Sequence, residues 1–201
     1  MRRILFTISA IAAFATAAAA QSTPPIWQGL YLGVHGGKSQ FDVTLIDVAS
    51  GETVDASTTK SAAGAFGGYN WQSGPWVLGA EADWTRTFGD SGDVDLFTLR
   101  ARAGYAFNKV MVFGTAGFGM ESMTMTYSTP GQSSDVDRTH SGLVVGGGIE
   151  AMLMPHLAIR AEALYFQGSK ERFDAPIAGG TPADVEFNQT IYRAGLSYHF
   201  N

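Results

Sequence analysis

The stretch Trp76-Val77-Leu78-Gly79-Ala80-Glu81-Ala82-Asp83-Trp84-Thr85 decides how this chain folds. Trp76, Leu78, Ala80, Ala82 and Trp84 alternate with Val77, Gly79, Glu81, Asp83 and Thr85. A period of two is the signature of a β-strand with two unlike faces. Gln72-Ser73-Gly74-Pro75 stands just before the stretch and reads as a tight turn. A second run follows, in which Phe97, Leu99, Ala101, Ala103 and Tyr105 alternate with Thr98, Arg100, Arg102 and Gly104. In both runs one face is apolar and the other carries full charges.

The same alternation extends in both directions. Leu30, Leu32 and Val34 alternate with Tyr31, Gly33 and His35 near the start. Toward the end, Leu157, Ile159, Ala161, Ala163 and Tyr165 alternate with Ala158, Arg160, Glu162 and Leu164. Tyr192, Ala194, Leu196, Tyr198 and Phe200 alternate with Arg193, Gly195, Ser197 and His199. Three glycine-rich segments have a blurred register. Their outward sets are Ala63, Ala65, Gly67, Tyr69 and Trp71; Val112, Gly114, Ala116 and Phe118; and Val145, Gly147, Ile149 and Ala151. Phe66, Thr115, Glu121 and Glu150 then point inward. The total is eight strands.

The connections alternate as well. Gln72–Pro75, Phe107–Lys109 and Leu153–His156 are tight turns, whereas residues 40–60, 87–93, 122–139 and 168–186 form long polar connections. Short periplasmic turns and long external loops are the habit of an outer-membrane barrel. Trp71 and Trp76, Tyr105 and Phe107, and Tyr198 and Phe200 flank the short-turn end on the outward register, where an interfacial girdle belongs. The third turn has no aromatic pair, and Trp27 falls on the inward register.

Composition agrees with export. Met1-Arg2-Arg3, the apolar run Ile4 to Phe14, and Ala18-Ala19-Ala20 before Gln21 have the order of a secretory signal peptide. The expected division is a cleaved segment at 1–20 and a barrel domain at 21–201. The chain has no cysteine, so disulfide and thiolate chemistry are excluded. Without Arg2 and Arg3 the formal charge of −5 becomes −7, which disfavours nucleic acid as a partner. No stretch after Ala20 has the roughly 18 apolar residues of a spanning helix. A chain of this kind crosses a membrane only as a closed barrel.

Charges on strands are costly unless solvated or paired. Glu81, Asp83, Arg100, Arg102, Glu121, Glu150, Arg160, Glu162 and Arg193 all fall on the inward register. Hairpin pairing of the third and fourth strands lets Glu81 and Asp83 meet Arg100 and Arg102. An eight-stranded barrel is barely wide enough for its own side chains, so the network is expected to fill the lumen rather than line a wide channel.

Catalytic readings find little support. Glu81 and Asp83 are spaced as salt-bridge partners, and His35, His140, His156 and His199 share no ligand spacing with a carboxylate. Asp90, Asp93 and Asp95 lack the spacing of a calcium loop. Gly67-Gly68 and Gly146-Gly147-Gly148 lead into no helix, and no serine stands in a nucleophile elbow. No catalytic residue, cofactor or metal site is assigned, and the chain is read as not an enzyme.

Several motifs resemble a family of small alphaproteobacterial surface antigens, porin-family outer-membrane proteins related to opacity-type and outer-membrane-protein-A-like barrels. Trp27-Gln28-Gly29-Leu30-Tyr31-Leu32-Gly33 with Gly36-Gly37 resembles its opening strand. Gly67 to Gln72 and Trp76 to Asp83 are similar to its second and third strands, and Leu99 to Ala106 to its fourth. Gly147-Gly148-Ile149-Glu150 and Arg160 to Tyr165 resemble its sixth and seventh. Arg193 to Phe200 looks like the terminal signal read by the barrel-assembly machinery, carried by Gly195, Tyr198 and Phe200, although Asn201 follows the last aromatic.

The resemblance implies an all-β, eight-stranded, antiparallel up-and-down transmembrane barrel in the bacterial outer membrane. Its expected partners are outer-membrane lipid, lipopolysaccharide and, during biogenesis, the assembly machinery. The expected role is structural or at the cell surface, with external loops available for interaction. No periplasmic domain is expected after the last strand. The alternatives are a narrow porin or small-ligand barrel, for example for haem, and a lipid-modifying outer-membrane enzyme. The enzyme needs a rim-placed Ser/His/carboxylate set that the sequence does not supply.

Overall fold

A computed structural model of the chain describes residues 25–47, 53–88, 93–129, 132–168, 171–173 and 183–200. The expected signal segment at 1–20 and the loop positions Glu52, Asp90 and Asp174 lie outside the described residues. The elements are β1 (Gly29–Asp47), β2 (Thr53–Ser73), β3 (Trp76–Phe88), β4 (Val94–Phe107), β5 (Val110–Thr129), β6 (Gln132–Met154), β7 (Leu157–Gly168), β8 (Glu171–Phe173) and β9 (Ala183–His199). Each of β1 to β6 pairs antiparallel with the next, β7 pairs with β9, and β9 pairs back onto β1. The sheet therefore closes, which removes every edge inside the bilayer. β8 continues the line of β7 along β9, opposite Ala183–Val185, so the barrel has eight strand positions.

Short turns form where the backbone permits them. Gly74 (φ 57°) and Asn108 (φ 60°) take left-handed conformations at the β2–β3 and β4–β5 turns. Glycine and asparagine are the residues that tolerate that region. A register shift between Met152 and Met154 marks the approach to the β6–β7 turn.

Alternation of burial follows the sequence pattern. Along β4, Leu99 is 61% exposed while its neighbour Arg100 is 1% exposed. In the glycine-rich segments Phe66, Thr115 and Glu150 are buried, and Ala65, Ala116 and Ile149 are exposed. The exposed large residues form an apolar outer belt. Trp76 packs edge-on to Tyr105 at 5.0 Å, and Tyr198 packs on Phe200 at 4.9 Å.

The long connections differ from the expectation of irregular loops. β1 and β2 stay paired out to Ile46 and Thr53, and β5 and β6 out to Thr129 and Gln132. A strand needs only about 9–11 residues to cross a bilayer, so the 23-residue β6 extends well beyond one. Beyond the membrane both faces of a hairpin meet water, and nothing enforces apolar alternation there. Pairing persists while the period-two signal disappears. Asp135, read as loop, lies in β6 opposite Thr126.

Trp27, just before β1, points inward. It is fully buried at the short-turn end, where its indole N–H donates to the Asn108 carbonyl (3.0 Å) and its backbone N–H to Gln72 Oε1 (2.9 Å). It belongs to a plug across the mouth rather than to the girdle.

Candidate functional site: the barrel lumen

The inward faces stack into three layers. Nearest the short turns lies an apolar layer of Trp27, Val77, Ala106, Met111, Phe113 and Ala158, with Ile26 and Met152 against it. Toward the long hairpins lies a second apolar layer of Leu96, Val144, Leu164, Phe166 and Ile191. Between them sit four arginines and four carboxylates, all buried: Arg100, Arg102, Arg160 and Arg193 with Glu81, Asp83, Glu150 and Glu162. Equal numbers of opposite charges leave the layer formally neutral, which a poorly hydrated interior requires.

Each carboxylate serves several donors. Glu81 accepts from Arg100 (2.5 Å), Arg160 (2.7 Å) and the Tyr31 hydroxyl (2.7 Å). Glu150 accepts from Arg102 (2.9 Å), Arg160 (3.2 Å) and Ser197 (2.7 Å). Glu162 accepts from Arg100 at 2.9 Å and from Arg193 Nε and Nη2 at 2.9 and 2.7 Å. Asp83 accepts from Arg193 (2.6 Å) and Thr85 (3.1 Å), with His35 Nε2 at 3.1 Å. Charge-assisted bonds of this kind are stronger than neutral ones. The guanidinium of Arg160 also lies 4.1 Å from the Phe66 ring, and that of Arg102 lies 4.2 Å from Phe113. Cation–π contact of this kind is favourable where water is excluded.

The expected pairing of Glu81 with Arg100 across the β3–β4 ladder is present. Asp83, by contrast, forms an ion pair with neither Arg100 nor Arg102 among the described residues. It stands opposite Thr98 and reaches Arg193 of β9, while Arg102 lies 3.6 Å from Glu81 and bonds Glu150 of β6 at 2.9 Å. The lumen is narrow enough for one long side chain to bond both a ladder neighbour and a distant strand, as Arg193 does with Glu162 and Asp83. Glu121 also stands apart. It is half-buried on β5 opposite Leu96, above the central layer, and none of the four lumen arginines bonds to it among the described residues. Lys60 is the cation near it. Asp95 lies outward, bonded to Arg86 at 2.8 and 2.7 Å and to the Trp84 indole at 3.1 Å.

His35, His199, Tyr31 and Ser197 are members of the layer that charge counting misses. Their signal in the sequence is parity: each stands on the inward register of a strand whose outward residues are Leu32 and Val34 or Tyr198 and Phe200.

Ser197, His199 and Glu150 form a serine–histidine–carboxylate group, but its geometry is not that of a nucleophile. Ser197 Oγ (3.4 Å) and Glu150 Oε1 (3.3 Å) both face the same ring nitrogen, His199 Nε2, and the serine donates directly to the carboxylate. A catalytic triad places its serine and its carboxylate on opposite nitrogens of the ring. All three residues are buried.

A closed antiparallel barrel, apolar outside and ion-paired inside, is the build of an outer-membrane β-barrel protein. The chain belongs to the family described as outer membrane protein beta-barrel domain, whose model matches residues 6–200. It is similar to the 25 kDa outer-membrane immunogenic protein of Brucella canis, 32% identical over 181 residues, covering 87% of this chain and 79% of that protein. It is also similar to the 22 kDa outer membrane protein of Rhizobium leguminosarum bv. viciae, 31% identical over 155 residues, covering 74% and 67%. Among solved structures, Neisserial surface protein A superposes with a TM-score of 0.51 at 15% identity, covering 86% of this chain and 98% of that one. That last likeness concerns the fold alone. The protein is an outer-membrane β-barrel, similar to these alphaproteobacterial outer-membrane proteins.

Proposed function

We propose that this protein is a sealed structural barrel that carries extended hairpins on the cell surface, and is neither a porin nor an enzyme. The observation that carries this reading is the layered lumen, in which apolar side chains close both ends of a neutral ion-paired layer. A narrow porin or a haem-type binding barrel needs that space cleared. The buried, mis-oriented Ser197–His199–Glu150 group argues against a lipid-modifying activity.

In this reading the segment at 1–20 is a cleaved signal peptide and 21–201 is the barrel domain. Its charged lumen residues are structural, and Gly195, Tyr198 and Phe200 present the terminal signal to the assembly machinery. The short turns face the periplasm, and outer-membrane lipid and lipopolysaccharide surround the belt. Planar-bilayer recording of the purified barrel tests the central claim. The expected result is no unit current above the lipid baseline. Sustained steps that scale with salt would restore the porin alternative.

A further inference from the structure

A groove of about 710 Å³ opens at the short-turn end of the barrel. Ile26 and Met152, which back onto the plug under Trp27, form its inner wall. Tyr69, Met154 and Phe200, exposed members of the lipid-facing surface, form its outer wall. The groove thus bridges the barrel mouth and the membrane interface. It lies where the girdle is broken, for the β6–β7 turn exposes Leu153 and Met154 in place of an aromatic pair.

Charge narrows the choice of occupant. Lys109, at the β4–β5 turn, lines the groove. Among the described residues at this end, no Asp or Glu occurs in 25–28, 72–76, 106–110, 152–157 or 198–200. The other described lysines and arginines lie in the lumen or toward the long hairpins. An acidic chain therefore presents a cationic, apolar-walled groove at headgroup level, which complements an anionic phosphate with hydrocarbon attached.

We propose that this groove holds one anionic glycerophospholipid of the periplasmic leaflet, its phosphate at Lys109 and an acyl chain along Met154 and Phe200. The proposal rests on the reading that the short turns face the periplasm.

The test uses protein purified from outer membranes into phosphatidylcholine bicelles doped with phosphatidylglycerol that carries an acyl-chain diazirine. After illumination, label should concentrate on the peptide containing Leu153–Pro155. Excess unlabelled phosphatidylglycerol should compete with it, and phosphatidylcholine should not. Lys109→Gln, at an exposed turn position, should cut this label roughly fivefold, the factor given by ~1 kcal/mol per lysine at an anionic lipid surface. Lys38→Gln, toward the opposite end, should leave it unchanged. Label spread evenly around the belt, label indifferent to Lys109→Gln, or a groove left unlabelled because residues preceding Pro25 or a co-purified protein cover it would each overturn the proposal. Labelling in bicelles does not depend on orientation in the cell, so the lipid site and the topology can fail separately.

Discussion

Glu81 on β3 and Arg160 on β7 stand 79 residues apart in sequence and 2.7 Å apart across the lumen. Arg160 bonds Glu150 with its other terminal nitrogen, so a single guanidinium ties three walls of the barrel together. Removing it leaves two buried carboxylates short of a donor. Loss of one partner from a buried pair costs on the order of 3–5 kcal/mol, less where lumen water intrudes. Arg160→Ala should therefore unfold at markedly lower urea than wild type in lipid vesicles, and Glu81→Gln should restore part of the loss. Arg100→Ala should cost a comparable amount, because it takes a donor from both Glu81 and Glu162. Equal midpoints for wild type and Arg160→Ala would show that the lumen charges are solvated individually.

Topology can be read chemically, because the chain contains no cysteine. Thr58, on the extended part of β2, and Ser73, at the β2–β3 turn, are both exposed at opposite ends of one strand. In intact cells a membrane-impermeant maleimide should label Thr58→Cys and spare Ser73→Cys. Lysis should equalise them. Labelling of Ser73→Cys in sealed cells would invert the orientation.

The barrel was legible in the sequence wherever one face meets lipid and the other the lumen, because that contrast imposes period two. Leu99 beside Arg100 is enough to set the facing of β4. The outer hairpins were not legible, since water on both sides removes the contrast while leaving the backbone pairing. Partner choice in the lumen was legible only for direct ladder neighbours such as Glu81 and Arg100. The pairing of Asp83 with Arg193, 110 residues away, depends on how barrel closure brings β9 across from β3, which no local pattern encodes. His35 and His199 were hidden by their chemistry, since a lone histidine says little, though their parity was correct.

Glycine runs blurred the register for a physical reason that yields a third prediction. In a tightly coiled small barrel, inward Cβ positions crowd the neighbouring backbone. A Cβ built at Gly117, opposite Arg100, would lie 2.1 Å from the Leu99 carbonyl oxygen, whereas at outward Gly114 the nearest atom is 3.9 Å away. Overpacking of this sort costs about 1–3 kcal/mol. Gly117→Ala should lower the urea midpoint clearly and Gly114→Ala should leave it nearly unchanged. Equal tolerance at the two sites would mean that β5 shifts to make room.

The lipid belt gives the last test, on which the rest depends. Leu99 is 61% exposed on β4, flanked by the outward residues Ala82 and Phe118 on the adjoining strands. Six residues further on, Tyr105 reaches the rim and meets Trp76 and Phe107. An arginine on the lipid face costs roughly 2–4 kcal/mol at the bilayer midplane and little near the interface. Leu99→Arg should therefore lose most of its folding stability in vesicles, while Tyr105→Arg should lose much less. In the opposite direction, Arg100→Leu should also destabilise, because it strips a donor from both Glu81 and Glu162. A water-facing Arg100 would instead tolerate leucine, and a core-facing Leu99 would be sensitive to arginine in any solvent. The paired result, with depth dependence at 99 and 105 together with loss at 100, distinguishes an inverted membrane barrel from a soluble one. If Leu99→Arg folded as readily as Tyr105→Arg, residue 99 would not lie at the bilayer midplane.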